Sequence, residues 1–292
     1  MNKIYRDAVE SIKIDGDNFA ESAMKGVYLG QKAALDELHR IVGKIYIDHA
    51  KDGFLSLTSQ QKSTITANTT KVLKDMGFKL GTSEVEAVTA MLGEVFKTTY
   101  YKNAFTMESG MSVNLKFNIL KKEFVDAAVN HKFKGELFSN RIWANKAGLI
   151  DSIQSSLVDA YNGKKTIDKI GREIRDTFNV QAYESQRLVR TENARIQSQA
   201  SEDIGRASGV EQVLFSSTLD SRTSEFCQEN DGKIFGIDDP DKPEIPVHPN
   251  CRSAYINVPY AGFSPTSRRD NETKEIIAYK NYADWAKDKG VD

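Results

Sequence analysis

Hydrophobic residues recur three and four apart along most of the chain up to Ser208, the spacing of helices with one apolar face. The pattern predicts a helix over residues 18–49. A second helix opens at Thr58 with Gln61 three residues on, a capping-box pair, and stops at Gly77. Ser83 and Glu86 repeat the device at the head of a third helix. Residues 113–133 and 140–164 supply two more, the latter with Trp143, Leu149, Ile150, Ile153 and Leu157 along one face. Thr166 begins a short helix, and a longer one over residues 180–208 ends near Gly209.

Beyond Gly209 the period shortens to two. The stretches VEQVLFSST, KIFGI and SAYINVP read as short strands separated by turn formers, among them Asn230-Asp231-Gly232 and the run Asp238 to Pro243. A last helix is expected over residues 271–290, with Ile276, Ile277, Tyr279, Tyr282 and Trp285 free to pack back or to meet a partner. The predicted fold class is α+β. A long, mainly α-helical N-terminal region spans residues 1–164, a small module with a short antiparallel sheet spans 165–262, and a linker with a C-terminal helix spans 263–292.

Composition narrows this picture. With 39% hydrophobic and 28% charged residues and 6 prolines, the chain has the balance of a folded, helix-rich protein. No apolar run is long enough for a membrane span, and the opening residues lack the apolar core of a secretory signal, so synthesis and retention in the cytoplasm are expected. The net charge of −1 conceals an asymmetry: residues 100–200 carry 16 basic and 11 acidic side chains, and residues 201–292 carry 11 and 17. Lys121, Lys122, Lys132 and Lys134, with Trp143 nearby, are therefore candidates for non-specific contact with double-stranded DNA. No repeat and no genuine phosphate loop is present.

The chemistry concentrates between Thr218 and Pro259, which holds both cysteines, Cys227 and Cys251, together with His248. Three readings compete. Two thiolates and an imidazole suit zinc, with Asp220, Glu229 or Asp231 as an undetermined fourth ligand. A cysteine nucleophile with His248 as base has the right residue types and nothing further in its favour. In the third reading the segment is a polar staple. Asp220 and Arg222 satisfy backbone groups or pair, prolines hold His248 extended, and His248 and Asn250 bond across to the first loop around two small buried thiols. Arg190 with Ser216-Ser217-Thr218 resembles the early part of an ADP-ribosyltransferase signature, but the required Glu-x-Glu occurs only upstream, at Glu84 and Glu86. Asp238, Asp239 and Asp241 cluster as a metal-dependent nuclease would want, yet beside prolines on what reads as a solvated loop.

Taken together, Arg190-Thr191-Glu192 on a helix, Asp220, Arg222, Thr223 and Cys227 after a strand, Asp231-Gly232-Lys233, and a closing His248-Pro249-Asn250-Cys251-Arg252 resemble the Mu F-like minor head proteins of tailed bacteriophages. The resemblance covers about residues 165–258. Many members carry further cysteines in Cys-x-x-Cys and Cys-Arg-Cys, where this chain has Ser224 and Ser253. It implies a structural virion protein, not an enzyme, in the phage head near the portal. It would assist head assembly, DNA packaging or ejection, with the portal protein and the major capsid or scaffolding protein as partners. It implies no cofactor, with zinc as the one candidate.

Overall fold

The computed structural model describes residues 3–111 and 119–290, and among these the fold is mainly helical with short antiparallel strands behind a long helical region. Two compact units emerge, one formed by Met1–Ser22, Ala90–His131 and Leu188–Asp292, the other by Ala23–Thr89 and Lys132–Arg187. Both are discontinuous in sequence, because two long helices, α3 (Ser59–Met111) and α6 (Ile167–Ala207), contribute a stretch to each.

The unit built from Ala23–Thr89 and Lys132–Arg187 is a helical bundle. It comprises α2 (Lys25–His49), the start of α3, α5 (Phe138–Tyr161) and the start of α6, with a small hairpin, β1 (Ala50–Lys51) and β2 (Phe54–Leu55), after α2. Leu38, Val42, Leu73, Ile153, Leu157, Ile170 and Ile174 interlock in its core. Each such side chain contributes about 1.5–3 kcal/mol through burial. The Thr58–Gln61 box caps α3 as expected: Thr58 N donates to Gln61 Oε1 at 2.9 Å and Gln61 N to Thr58 Oγ1 at 3.3 Å.

The helix does not stop at Gly77, nor does one begin at Ser83, because α3 runs unbroken through both. A Cβ at Gly77 would press on Ile150 and one at Gly81 on the Trp143 ring, so these glycines let α5 approach closely. Trp143 is partly exposed and stacks on Phe78 at 5.9 Å, instead of joining the buried Leu149, Ile150, Ile153 and Leu157. Within the bundle Lys146 and Glu84 form an almost wholly buried ion pair. The Gln181 amide oxygen, turned toward Lys146 Nζ, lies 2.9 Å away. Burial lowers the Lys146 pKa, and the Glu84 carboxylate opposes that shift.

The other unit holds the short sheet, ordered β4 (Ile234–Gly236), β3 (Gln212–Ser216), β5 (Ala254–Val258), all antiparallel. Strand β3 is central and covered on both faces, which explains its continuous apolar run. Val213 and Phe215 pack with Ala194, Ile237, Ile245 and Tyr255; Leu214 packs the other way with Tyr5, Val9, Met107, Val258 and Phe263. Tyr5 and Val9 lie on α1 (Lys3–Ala23), which a turn at Met24 separates from α2, so the helix expected over 18–49 is two.

Helix α6 is also one helix, not two. Thr166 starts it, with Lys169 N donating to Thr166 Oγ1 at 3.4 Å, and Gly209, at φ +74°, follows its end. From Thr191 to Ser198 every residue is buried, although the stretch is largely polar. Several of its polar side chains find partners within the unit. Glu192 accepts from Arg195 Nε at 2.7 Å, and Arg195 Nη1 donates to the Ala128 carbonyl at 3.0 Å, at the end of α4 (Lys122–Val129). Asn193 and Gln197 donate to Asp17 at 2.7 and 3.0 Å. Of the helix expected over 113–133, only α4 is seen; residues 112–118 lie outside the described residues.

The closing segment corrects the expected helix over 271–290. Its first part is a strand, β7 (Ile276–Ala278), paired antiparallel with β6 (Ser267–Arg269), and α8 spans only Tyr282–Lys289. Tyr282 and Trp285 are buried against Leu219 of the same unit.

Candidate functional site

Two buried aspartates organise the region after β3. Asp220 accepts from both terminal nitrogens of Arg252, Nη2 at 2.9 Å, and from Arg222 N at 3.1 Å and Thr223 Oγ1 at 3.2 Å. Burial works to raise its carboxyl, but the Arg252 guanidinium and the other donors hold it below its ordinary value. Arg222 extends into solvent beyond its 3.3 Å contact with Asp220. Asp231 accepts from Ser217 N at 2.7 Å, Tyr282 N at 2.6 Å, and Arg268 Nη1 and Nη2 at 2.8 and 3.1 Å. Gly232, at φ +80°, lets the turn close: Lys233 N donates to Asn230 O at 3.1 Å, while Gly232 N and Phe215 N bond across the ladder at 2.8 and 2.9 Å.

Between these anchors lies a helix that the turn-rich sequence disguises. Ser224 caps α7 (Glu225–Asn230), accepting from Cys227 N at 3.4 Å, so Cys227 sits on a helix instead of in a loop. Ser224 followed by acidic Glu225 was the available signal. Cys251 N donates to His248 O at 3.0 Å, closing a tight turn in which Asn250 takes φ +62°.

The imidazole does meet the first loop, with Nε2 2.8 Å from Ser224 Oγ and 3.5 Å from Cys227 Sγ. The Asn250 backbone N donates to Thr191 Oγ1 on α6 at 3.0 Å. Both thiols are free and buried, and they hydrogen-bond to one another and to Ser253. The bond from Cys227 lowers the Cys251 pKa; the same bond, reinforced by burial, raises that of Cys227. Sulfurs enclosed in this way meet a substrate only if the fold opens.

The remaining candidates stand apart from this cluster. Arg190 is exposed on α6, while Thr191 and Glu192 are buried. Ser216, Ser217 and Thr218 are buried too, with Thr218 Oγ1 donating to Arg252 O at 3.2 Å. Asp238 meets Arg206 at 2.9 Å, and Asp239 accepts from Asp241 N at 2.9 Å. Lys121, Lys122, Lys132 and Lys134 are all exposed; Lys122 pairs with Asp126 at 2.5 Å and Lys134 lies over the Phe133 ring. Arg268 and Asp270 complete the bracing, bonding to Asp231 and Trp285, and carry no local signature beyond turn chemistry around Asp270.

Residues 151–256 match the family described as Phage Mu protein F like protein, a match that begins within α5. The chain is 24% identical to Minor head protein GP7 of Bacillus phage SPP1 over 302 aligned residues, covering 94% of each protein. It is 26% identical to NAD(+)--arginine ADP-ribosyltransferase EFV of Enterococcus faecalis (strain ATCC 700802 / V583) over 208 residues, or 65% of this chain. The chain spans only 42% of the length of that relative. No solved structure matches the chain.

Proposed function

We propose, from the chain's likeness to a phage minor head protein and its match to a Mu F-like family over residues 151–256, that it is a structural component at the portal end of the head, assisting assembly, DNA packaging or ejection. The observation that carries this reading is the 94% two-way coverage with the SPP1 minor head protein. The site chemistry supports it: Asp220 and Asp231 are spent on Arg252, Arg268 and backbone donors, which suits a scaffold.

The helical bundle is the docking surface in this proposal. Phe78 is 65% exposed on it, stacked against Trp143, and exposed aromatic pairs of this kind anchor protein interfaces. The portal protein of the same phage is the first partner, with the major capsid or scaffolding protein second. Affinity capture with that portal protein, and mass spectrometry of purified heads, test the proposal. Recovery in both is expected, and absence from both ends it.

Contact with double-stranded DNA through Lys121, Lys122, Lys132 and Lys134 is a supplement to this role. It should give retention on duplex DNA that falls steeply with salt. No retention at low salt removes it.

The Enterococcus relative raises a second reading, arginine ADP-ribosylation. The only Glu-x-Glu of the chain starts at Glu84, whose carboxylate is buried against Lys146 and withheld from any nucleotide. Incubation with NAD and an arginine acceptor is expected to release no nicotinamide; turnover would reinstate the enzyme.

A further inference from the structure

Helix α7 and the turn after Pro246 bring three donor atoms together: Cys227 Sγ, His248 Nε2 and Cys251 Sγ lie within 4.8 Å of one another. Zinc bonds of about 2.3 Å to sulfur and about 2.0–2.1 Å to nitrogen place tetrahedral donors about 3.5–3.8 Å apart. The 3.5 Å between Nε2 and Cys227 Sγ has that scale. The donors sit on two segments that are fixed independently, one by the α7 cap and one by the backbone bond that closes the turn.

The imidazole is also oriented for coordination. His248 Nδ1 lies 2.9 Å from the Pro249 carbonyl, which only accepts, so Nδ1 carries the proton. Nε2 is left with a lone pair directed at Cys227 and Ser224. A carbonyl behind the imidazole is the usual outer partner of a metal-bound histidine. The Ser224 hydroxyl lies 2.8 Å from Nε2, beside the triad.

We propose that Cys227, His248 and Cys251 bind a borderline-soft d10 cation, zinc, with water or the Ser224 hydroxyl in the fourth position. Two sulfurs and one nitrogen select such an ion over magnesium or calcium, which require oxygen. A serine in place of a fourth strong ligand makes the site weaker and more exchangeable than a closed four-ligand centre.

The full chain, stripped with chelator, is equilibrated with zinc, freed of unbound metal and assayed by elemental analysis. Cobalt(II) serves as the spectroscopic probe. About one equivalent of zinc is expected, with thiolate-to-cobalt charge-transfer and tetrahedral ligand-field bands. In competition with a chelator, Cys251→Ala and His248→Ala should weaken binding at least about tenfold, and Ser224→Cys should tighten it by a similar factor. Retention below about a tenth of an equivalent by the unaltered chain overturns the proposal, as does wild-type affinity in Cys251→Ala, which would place the metal elsewhere. Should the alanine variants lose their far-ultraviolet helical signal, Ser224→Cys decides, since it keeps all three ligands. Unchanged affinity there also overturns the assignment.

Discussion

Arg268 reaches back 37 residues to grip Asp231, Nη1 to Oδ2 at 2.8 Å and Nη2 to Oδ1 at 3.1 Å, with both side chains almost wholly buried. The matched family segment ends at residue 256, so an aspartate inside it is held by an arginine outside it. Removing one member of a buried pair strands the other charge, at a cost of about 3–5 kcal/mol. Arg268→Ala should lower the stability of this unit by that amount in urea denaturation. A loss under about 0.5 kcal/mol, the range of ordinary surface changes, would show that the pair holds nothing together.

Asp270 gives the unit an acid-sensitive anchor. Burial works to raise its carboxyl, but donors from Trp285, Lys289, Thr273 and Glu272 outweigh it and bring the pKa down to about 2. Because the folded value lies below the unfolded one of about 3.9, this contribution is fully present above pH 4 and is lost as pH falls toward 2. It is on the order of 2 kcal/mol. Denaturation at stepped pH values should show stability falling across that window, with a shallower fall in Asp270→Asn. Identical slopes in the two proteins would count against the anchor.

The Glu84–Lys146 pair tests the bundle separately. Lys146→Ala leaves a buried carboxylate and should cost about 3–5 kcal/mol, whereas replacing both by Glu84→Leu and Lys146→Met should be close to neutral. A double-mutant cycle reads the coupling directly. Equal damage from the single and double replacements would mean that packing matters there and charge does not.

Gly81 carries a steric prediction. Gly81→Ala sets a methyl against the Trp143 ring and must either displace it from Phe78 or strain α3, costing about 1–3 kcal/mol. Tryptophan fluorescence and a thermal melt together report the change. An unaltered spectrum with an unaltered Tm rejects the contact.

Periodicity alone made most helices and all three strands of the central sheet legible. The failures were places where a local signal had a tertiary use. Gly77 looks like a stop but clears space for Ile150, and the neighbourhood of Ser83 looks like a start but surrounds a carboxylate aimed at Lys146. Around Ile276 and Ile277 the apolar spacing fits a helix, yet pairing with Ser267–Arg269 makes a strand. At the site, the proximity of His248 to the Cys227 segment could be inferred from residue types. The destination of Asn250 N could not, because Thr191 lies 59 residues away on a helix whose buried face is polar. Arg268 was illegible for a similar reason: one arginine among many acquires meaning only when the strand beside it pairs.

The bonds joining α1 to β6 set a biosynthetic clock. Glu10 Oε1 accepts from Arg269 N at 2.9 Å and Asp7 Oδ1 from Thr266 Oγ1 at 2.6 Å, each across 259 residues. At about 5–20 residues per second, α1 waits roughly 13–50 s after its own synthesis for those partners to leave the ribosome. Closure of this unit therefore awaits synthesis through β6, and until then its apolar surfaces stay open to chaperones or to premature association.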